Sequence, residues 1–295
     1  MTIAVFGNAM KSFTALEVQR ILEFMTAHGV HVLLSQELRQ ELNLREYPGF
    51  EPSAFGAQSA EDAEPVDFAL SVGGDGTFLT SAAAIGDKNI PILGVNCGRL
   101  GFLAEVQTQD LDDILQKLVD GQYTIEQRSL LNVSILDKDG YPREDLVMSP
   151  NALNEVAILK QGLTNMLTIE TKVNGELLHT YHSDGLVIAT PTGSTAYNLS
   201  IGGPLVVPQS RGIILTPIAP HSLTVRPIVM PDDWKFDIRV SSRYDSYMVS
   251  VDGRSQSLST DMSLHVERAP YTVKVVQIGD NSFLKSLRTK LNWGK

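Results

Sequence analysis

The stretch DFALSVGGDGT, residues 67–77, decides the fold: a mostly apolar run, Asp67 to Val72, breaks abruptly into glycine and then into residues that continue as a helix, Thr77 to Ile85. A buried strand that ends on glycines and opens a helix is the building unit of a parallel α/β sheet. At such a turn free backbone N–H groups and the helix dipole face outward, a position that suits phosphate. Gly73, Gly74 and Gly76 permit the tight turn and let a ligand approach the backbone, ahead of Thr77. Asp75 sets a carboxylate at the strand end, able to orient a hydroxyl or accept its proton during phosphoryl transfer. A lone glycine-rich pentapeptide is as readily a plain strand–helix turn in which Asp75 bonds nearby amides. Neither the Walker pattern nor GxGxxG is present.

Outward from this stretch, Ile3 to Phe6 and Val30 to Leu34 read as strands around a helix from Phe13 to His28, with apolar Leu16, Ile21, Leu22 and Met25 at helical spacing and Gly29 closing it. Ile90 to Val95 is a further strand, and Asp110 can cap a helix that runs through Val119 and stops at Gly121. After about residue 122 the pattern changes. Ser129 to Leu136, Asn154 to Leu159, Leu167 to Val173, Leu186 to Ala189, Phe236 to Val240, Tyr247 to Val251 and Thr272 to Val276 read as strands, with Asp139-Gly140 and Asn174-Gly175 suited to tight hairpins. The fold class expected is an N-terminal α/β parallel-sheet domain, residues 1–122, followed by a β-rich, mainly antiparallel domain, 123–280, and a tail, 281–295. The aperiodic stretch from Asn43 to Glu64, with Pro48 and Pro52, is long enough to be a surface loop that covers a ligand.

With 295 residues and 43% hydrophobic content, two medium domains can each bury a core. Acidic residues outnumber basic ones 34 to 24, a net charge of -10, which argues against a nucleic-acid partner. Cys97 is the single cysteine, so an internal disulfide and a four-cysteine zinc site are excluded and a reducing cytoplasm fits. No signal-like N-terminus or membrane-length apolar run is present, and the Asn-x-Ser matches at Asn132 and Asn198 are read as chance.

A second signature, DGLVIATPTGSTAYN, runs from Asp184 to Asn198 and on to Ser200 and Gly202-Gly203-Pro204. Pro191 and Gly193 fix a turn, Thr192, Thr195 and Ser200 offer hydrogen bonds, and Tyr197 offers a flat face to a base. The plain alternative is a helix cap by Ser194 or Thr195 with Tyr197 packed inside. Together, GGDGT, NCGRLGFL (Asn96 to Leu103), Asn154-Glu155 and TPTGSTAYNLSIGGP resemble the motif series of bacterial NAD kinases, in the family's order. PHSLTVRP (220–227) and LRTKLNW (287–293) add weaker support.

The resemblance implies transfer of the γ-phosphoryl of Mg²⁺-ATP to the 2′-hydroxyl of the adenosine ribose of NAD, giving NADP. It places Asp75 near that hydroxyl as the proposed base, with Gly76 beside it. Asn154, Glu155, Asp184 and the Thr195-to-Ser200 segment, including Ala196 and Tyr197, would bind the dinucleotide, partly across the subunit interface of a homodimer or homotetramer. The tail would return to the first domain. His182, where the family often has a basic residue, and Arg254 are weaker candidates, and Asn165 also falls at a variable position. No His/Cys cluster holds a permanent metal, so magnesium is expected to arrive with the nucleotide. Rival readings are a lipid kinase using the same GGDGT loop, a non-catalytic NAD sensor, and a Ser/His/Asp hydrolase. The acidic balance, the intact Asp75 and the missing GxSxG elbow oppose them in turn.

Overall fold

The computed structural model describes residues 1–7, 12–42, 53–55, 65–98, 101–104, 106–143, 149–162, 166–279 and 283–294. Most of the expected covering loop from Asn43 to Glu64, together with Arg99, Leu100 and Asn165, lies outside the described residues. The chain divides into one unit of residues 1–127 and 273–295 and another of residues 128–272. The expected boundaries at 122 and 280 differ because two strands, 124–136 and 263–277, run through the points of division.

In the first unit the strands are β1 (Thr2–Gly7), β2 (His31–Leu34), β3 (Ser53–Ala54), β4 (Phe68–Gly73), β5 (Ile92–Asn96) and β6 (Val106–Gln107). They pair in parallel in the order β3-β2-β1-β4-β5-β6. All five residues of β5 and the first five of β4 are buried, as a sheet covered on both faces requires, which explains their unbroken apolar runs. The helices are α1 (Ser12–Ala27), α2 (Gln36–Glu41), α3 (Asp75–Ile85) and α4 (Leu111–Val119). The apolar stripe of α1 is Val18, Ile21, Leu22 and Met25, spaced i, i+3, i+4, i+7. Leu16, expected on that stripe, is 61% exposed, because it falls on the opposite side of the helix from Val18. Asp110 ends a short 3₁₀ turn and its side chain makes no capping bond to α4, correcting the expected cap.

The second unit holds β7 (Thr124–Leu136, from residue 128 on), β8 (Asn151–Ala152), β9 (Glu155–Leu159), β10 (Leu167–Val173), β11 (Glu176–Ser183), β12 (Gly185–Ala189), α5 (Tyr197–Ser200), β13 (Ile213–Ile218), β14 (Ile228–Met230), β15 (Phe236–Ser241), β16 (Ser246–Val251), β17 (Arg254–Ser259) and β18 (Ser263–Gln277, up to residue 272). One antiparallel array runs β11-β10-β15-β18 and another β14-β13-β12-β9-β16-β17. Their apolar faces share a core: Val156, Ile158, Leu186, Ile188 and Tyr247 meet Leu167, Ile169, Phe236 and Ile238. Ala157, Val187, Ala189 and Ile214 point the other way and are covered by Ile201 and Val206. The expected Asn174-Gly175 hairpin joins β10 to β11, with φ of 50° and 84°, values that suit Asn and Gly. Gly140 adopts φ 87° in a turn closed by its N–H on the Asp137 carbonyl.

Beyond residue 272, β18 belongs to the first unit, where Val275 pairs in parallel with Ile92. There α6 (Phe283–Lys290) sets the Lys290 ammonium 4.5 Å above the Phe102 ring. Among the described residues no helix is long and apolar enough to cross a membrane.

Candidate functional site

The glycine turn does its work through one residue pair. Gly73 has φ +157°, and a Cβ there would stand within van der Waals overlap of the Thr77 hydroxyl. Gly74 caps α3, which begins at Asp75, two residues earlier than expected, so the carboxylate sits in the first helical turn. Asp75 then reaches 27 to 29 residues along the chain. Its Oδ1 accepts the N–H groups of Leu103 (2.9 Å) and Ala104 (3.1 Å), and its Oδ2 accepts that of Phe102 (2.8 Å). A carboxylate offers about four acceptor positions, so among the described residues one remains, on Oδ2. The plain reading of the turn, Asp75 bonding amides, is thus what these bonds show.

Residues 102–104, which carry those three donors, are held in place from β5. Asn96, at the end of β5, donates to the Ala104 carbonyl (3.2 Å) and accepts the Gly98 N–H (2.8 Å). Gly94 lets the segment lie against β5: a Cβ there would meet Ala104 Cα at 2.8 Å and the Leu103 carbonyl at 2.9 Å. Gly101 does the same for Asp75, whose Oδ1 would stand 1.9 Å from a Cβ. Cys97, next to Asn96, stays protonated, because burial and the charge of Glu17 push its thiol up to about 11.

In the second unit, Asn154 precedes and Glu155 starts β9, where β12 ends. Thr190 ties the two strands: its N–H donates to the Asn154 carbonyl (2.9 Å), its hydroxyl to the Leu153 carbonyl (2.5 Å), and it accepts the Gly193 N–H (3.1 Å). Asp252 holds the same segment from the far side, accepting the N–H groups of Leu153 (2.7 Å), Asn154 (2.8 Å) and Glu155 (3.1 Å). Glu155 accepts the backbone N–H of Tyr197, while its Oε2 is buried with no hydrogen-bond partner. Burial, first, and then the like charge of Asp252 push the Glu155 carboxyl up to about 7. Burial and the charge of Glu155 also raise the Tyr197 phenol.

The remaining candidates divide. Thr192 is buried in the 3₁₀ turn Thr192–Thr195; Thr195 donates to the Thr192 carbonyl (3.2 Å) and Ser200 to that of Tyr197 (2.8 Å), each hydroxyl keeping its acceptor lone pairs. Tyr197 is 37% exposed and Ala196 precedes it at the helix entrance. The expected cap by Ser194 or Thr195 is absent: Ser194 exchanges two bonds with the Val206 backbone, and α5 has no side-chain cap. Asn198 is fully buried, bonded to Ser194, Pro204 and Thr216. Asp184 and His182 lie elsewhere. Asp184 pairs with Lys160 (2.7 Å) at the opposite end of β12, and His182 is exposed beside Thr168. The five residues of β12 separate Asp184 from Thr190, six steps along the strand or about 20 Å. Arg254 donates to the Asn151 carbonyl (3.0 Å), with its Nε buried and unpartnered.

Sequence reading missed Asp252, though Asp252-Gly253 is the same kind of dipeptide as the two hairpin signals it used, with φ of 47° and 82°. Glu155 carries a testable consequence. Folded, it keeps its proton to about pH 7, while an ordinary carboxyl loses it near 4.5. The folded chain therefore binds the extra proton between those values, and stability falls as pH rises through the window, by on the order of 3 kcal/mol. Calorimetry should find Glu155→Gln melting above the unsubstituted chain at about pH 8 and level with it near pH 4; equal melting at both would contradict the buried, raised carboxyl.

Asp75 presents a carboxylate in the first turn of α3, and in the other unit Glu155 and Tyr197 gather at one strand end. Residues 3–123 match the ATP-NAD kinase N-terminal domain and residues 153–278 the ATP-NAD kinase C-terminal domain. A NAD kinase of Bacteroides fragilis is 41% identical over 300 residues, spanning 100% of this chain and 98% of that protein. Yeast NADH kinase, solved with NADH, shares the fold at TM-score 0.86 with 24% identity, over 100% of this chain and 88% of that one. The NAD kinase of Archaeoglobus fulgidus, solved with ATP, does so at 0.74 with 26% identity, over 99% of each chain. The chain belongs to the ATP-NAD kinase family.

Proposed function

We propose that this family member, an enzyme that phosphorylates NAD, transfers the γ-phosphoryl of Mg²⁺-ATP to the 2′-hydroxyl of the adenosine ribose through Asp75. The observation that carries this is the single acceptor position left on Asp75 Oδ2 after three backbone N–H groups have oriented the carboxylate. A ribose hydroxyl donating to that position is held with its oxygen lone pairs free for in-line attack, and its proton has a destination. The turn from Gly73 to Thr77 offers N–H groups and the α3 dipole to phosphate oxygens, and magnesium enters as part of the nucleotide substrate to offset their charge. Asn154 and Glu155 contact the dinucleotide, with Thr192, Thr195, Ala196, Tyr197 and Ser200 lining the base and ribose. The polar groups clustered at the end of β12 support this reading.

Asp184, just before β12, and His182, near the end of β11, sit at the end of β12 opposite that cluster and do not join it in one chain. They serve the pocket of a second copy, so the working form is a homodimer or homotetramer in the cytoplasm. The test is NADP formation from Mg²⁺-ATP and NAD, followed by a coupled dehydrogenase, with NADH and a diacylglycerol or sphingoid lipid as parallel acceptors. Robust NADP formation is expected; phosphorylated lipid without NADP would overturn the acceptor assignment.

A further inference from the structure

We propose that Asp252 is a positioning residue for this reaction: from the tip of the β16–β17 turn its carboxylate fixes the backbone of residues 153–155 and faces Glu155 with a like charge. The inference rests on the reading of Asn154 and Glu155 as dinucleotide contacts.

The turn itself does not need a carboxylate. With φ of 47° at Asp252 and 82° at Gly253, asparagine would serve as well. What the turn does not explain is the side chain's reach across 97 to 99 residues to three consecutive N–H groups at 2.7, 2.8 and 3.1 Å. That grip holds the residues that precede and begin β9, so the Asn154 and Glu155 side chains leave from a backbone with little freedom. It is the same device that Asp75 uses on residues 102–104.

The charges around the pair have a definite order. Asp252 is half-buried, and the loss of solvent around its carboxyl pushes it up, against the pull of the three N–H bonds and of Arg254 on the neighbouring strand. Glu155 is faced by Asp252 and by Tyr197, whose N–H it accepts, and has one buried oxygen without a partner. Removing the Asp252 charge therefore eases ionisation of Glu155, while removing its acceptor oxygens frees the backbone beneath it.

The experiment is steady-state kinetics of the full-length enzyme and its Asp252→Asn, Asn154→Ala and Glu155→Gln variants from about pH 5.5 to about pH 8.5. In Asp252→Asn one acceptor becomes an amide N–H₂ that faces a backbone N–H donor. With folding checked by circular dichroism, KM for NAD should rise about 10-fold and KM for Mg²⁺-ATP stay unchanged. The ionisation in kcat/KM for NAD should move to lower pH, and Glu155→Gln should abolish it. A folded Asp252→Asn enzyme with the original KM for NAD, or with an unmoved profile, would overturn the proposal, as would an ionisation that survives Glu155→Gln. If Asp252→Asn fails to fold, Asp252→Glu decides: it keeps the charge but displaces the carboxylate by a methylene, and an unchanged KM for NAD would again refute the role. Asn154→Ala separates the two levels, since a normal KM for NAD there would remove the dinucleotide reading itself.

Discussion

Asp75→Asn is expected to lower kcat for NADP formation by on the order of 10²–10⁴-fold, with NAD affinity, measured by calorimetry, changed only a few-fold. The reason lies in how the carboxylate is used. Oδ1 accepts two backbone N–H groups and Oδ2 accepts one, so the asparagine carbonyl oxygen takes the doubly occupied place and the N–H₂ group takes that of Oδ2. The open acceptor then becomes a donor, directed at a hydroxyl that must itself give up a proton. Near-normal turnover would remove Asp75 from the chemistry. Gly101→Ala probes the same carboxylate without changing its chemistry: a Cβ 1.9 Å from Oδ1 forces the carboxylate or the segment that binds it to move. Its kcat should fall in the same direction, and a Gly101→Ala enzyme with full activity would mean that the three-donor cradle is dispensable.

The parallel sheet, the glycine turn and the change to antiparallel strands were legible because they are local. The runs of β4 and β5 are apolar at nearly every position, as strands covered on both faces must be, and Asn174-Gly175 announces its hairpin in two letters. Seven strands escaped notice: β3, β6 and β8 are two residues long and β14 three, too short for a period to show, and β11, β13 and β17 hide for other physical reasons. Leu177 and Leu178 of β11 are exposed at the edge of their array, Pro217 interrupts β13, and β17 is mostly polar. Contacts made across long sequence separations were equally silent: nothing near Asp75 names residues 102–104, and nothing near Asp252 names residues 153–155. The resemblance supplied residues without their partners. Asn198 stands inside the second signature, yet it is a fully buried bracket for Gly203, Pro204 and Thr216.

The turn that follows β12 is where fold and site depend on one atom, and Gly193→Ala should be the most damaging small substitution in the second unit. A Cβ at Gly193 would lie 2.1 Å from the Asn154 carbonyl oxygen, 2.5 Å from its carbon and 2.8 Å from its Cα. These are backbone atoms, so no rotamer relieves the clash. The 3₁₀ turn must lift away from β9, breaking the bond from the Gly193 N–H to Thr190 and disturbing the two that join Thr190 to Leu153 and Asn154. A loss of about 3 kcal/mol is expected, lowering the melting temperature by roughly 6–12 °C. Activity at temperatures where the protein stays folded should fall as well, because the displaced carbonyl belongs to Asn154. Gly202→Ala is the contrast: its φ of +82° strains alanine, but nothing lies within 4 Å of the new methyl, so only the backbone cost of about 1 kcal/mol applies. If both variants melted alike, strain in the backbone and not pressure on Asn154 would be the common cause, and the rigid seat assigned to the Asn154-Glu155 pair would be lost with it.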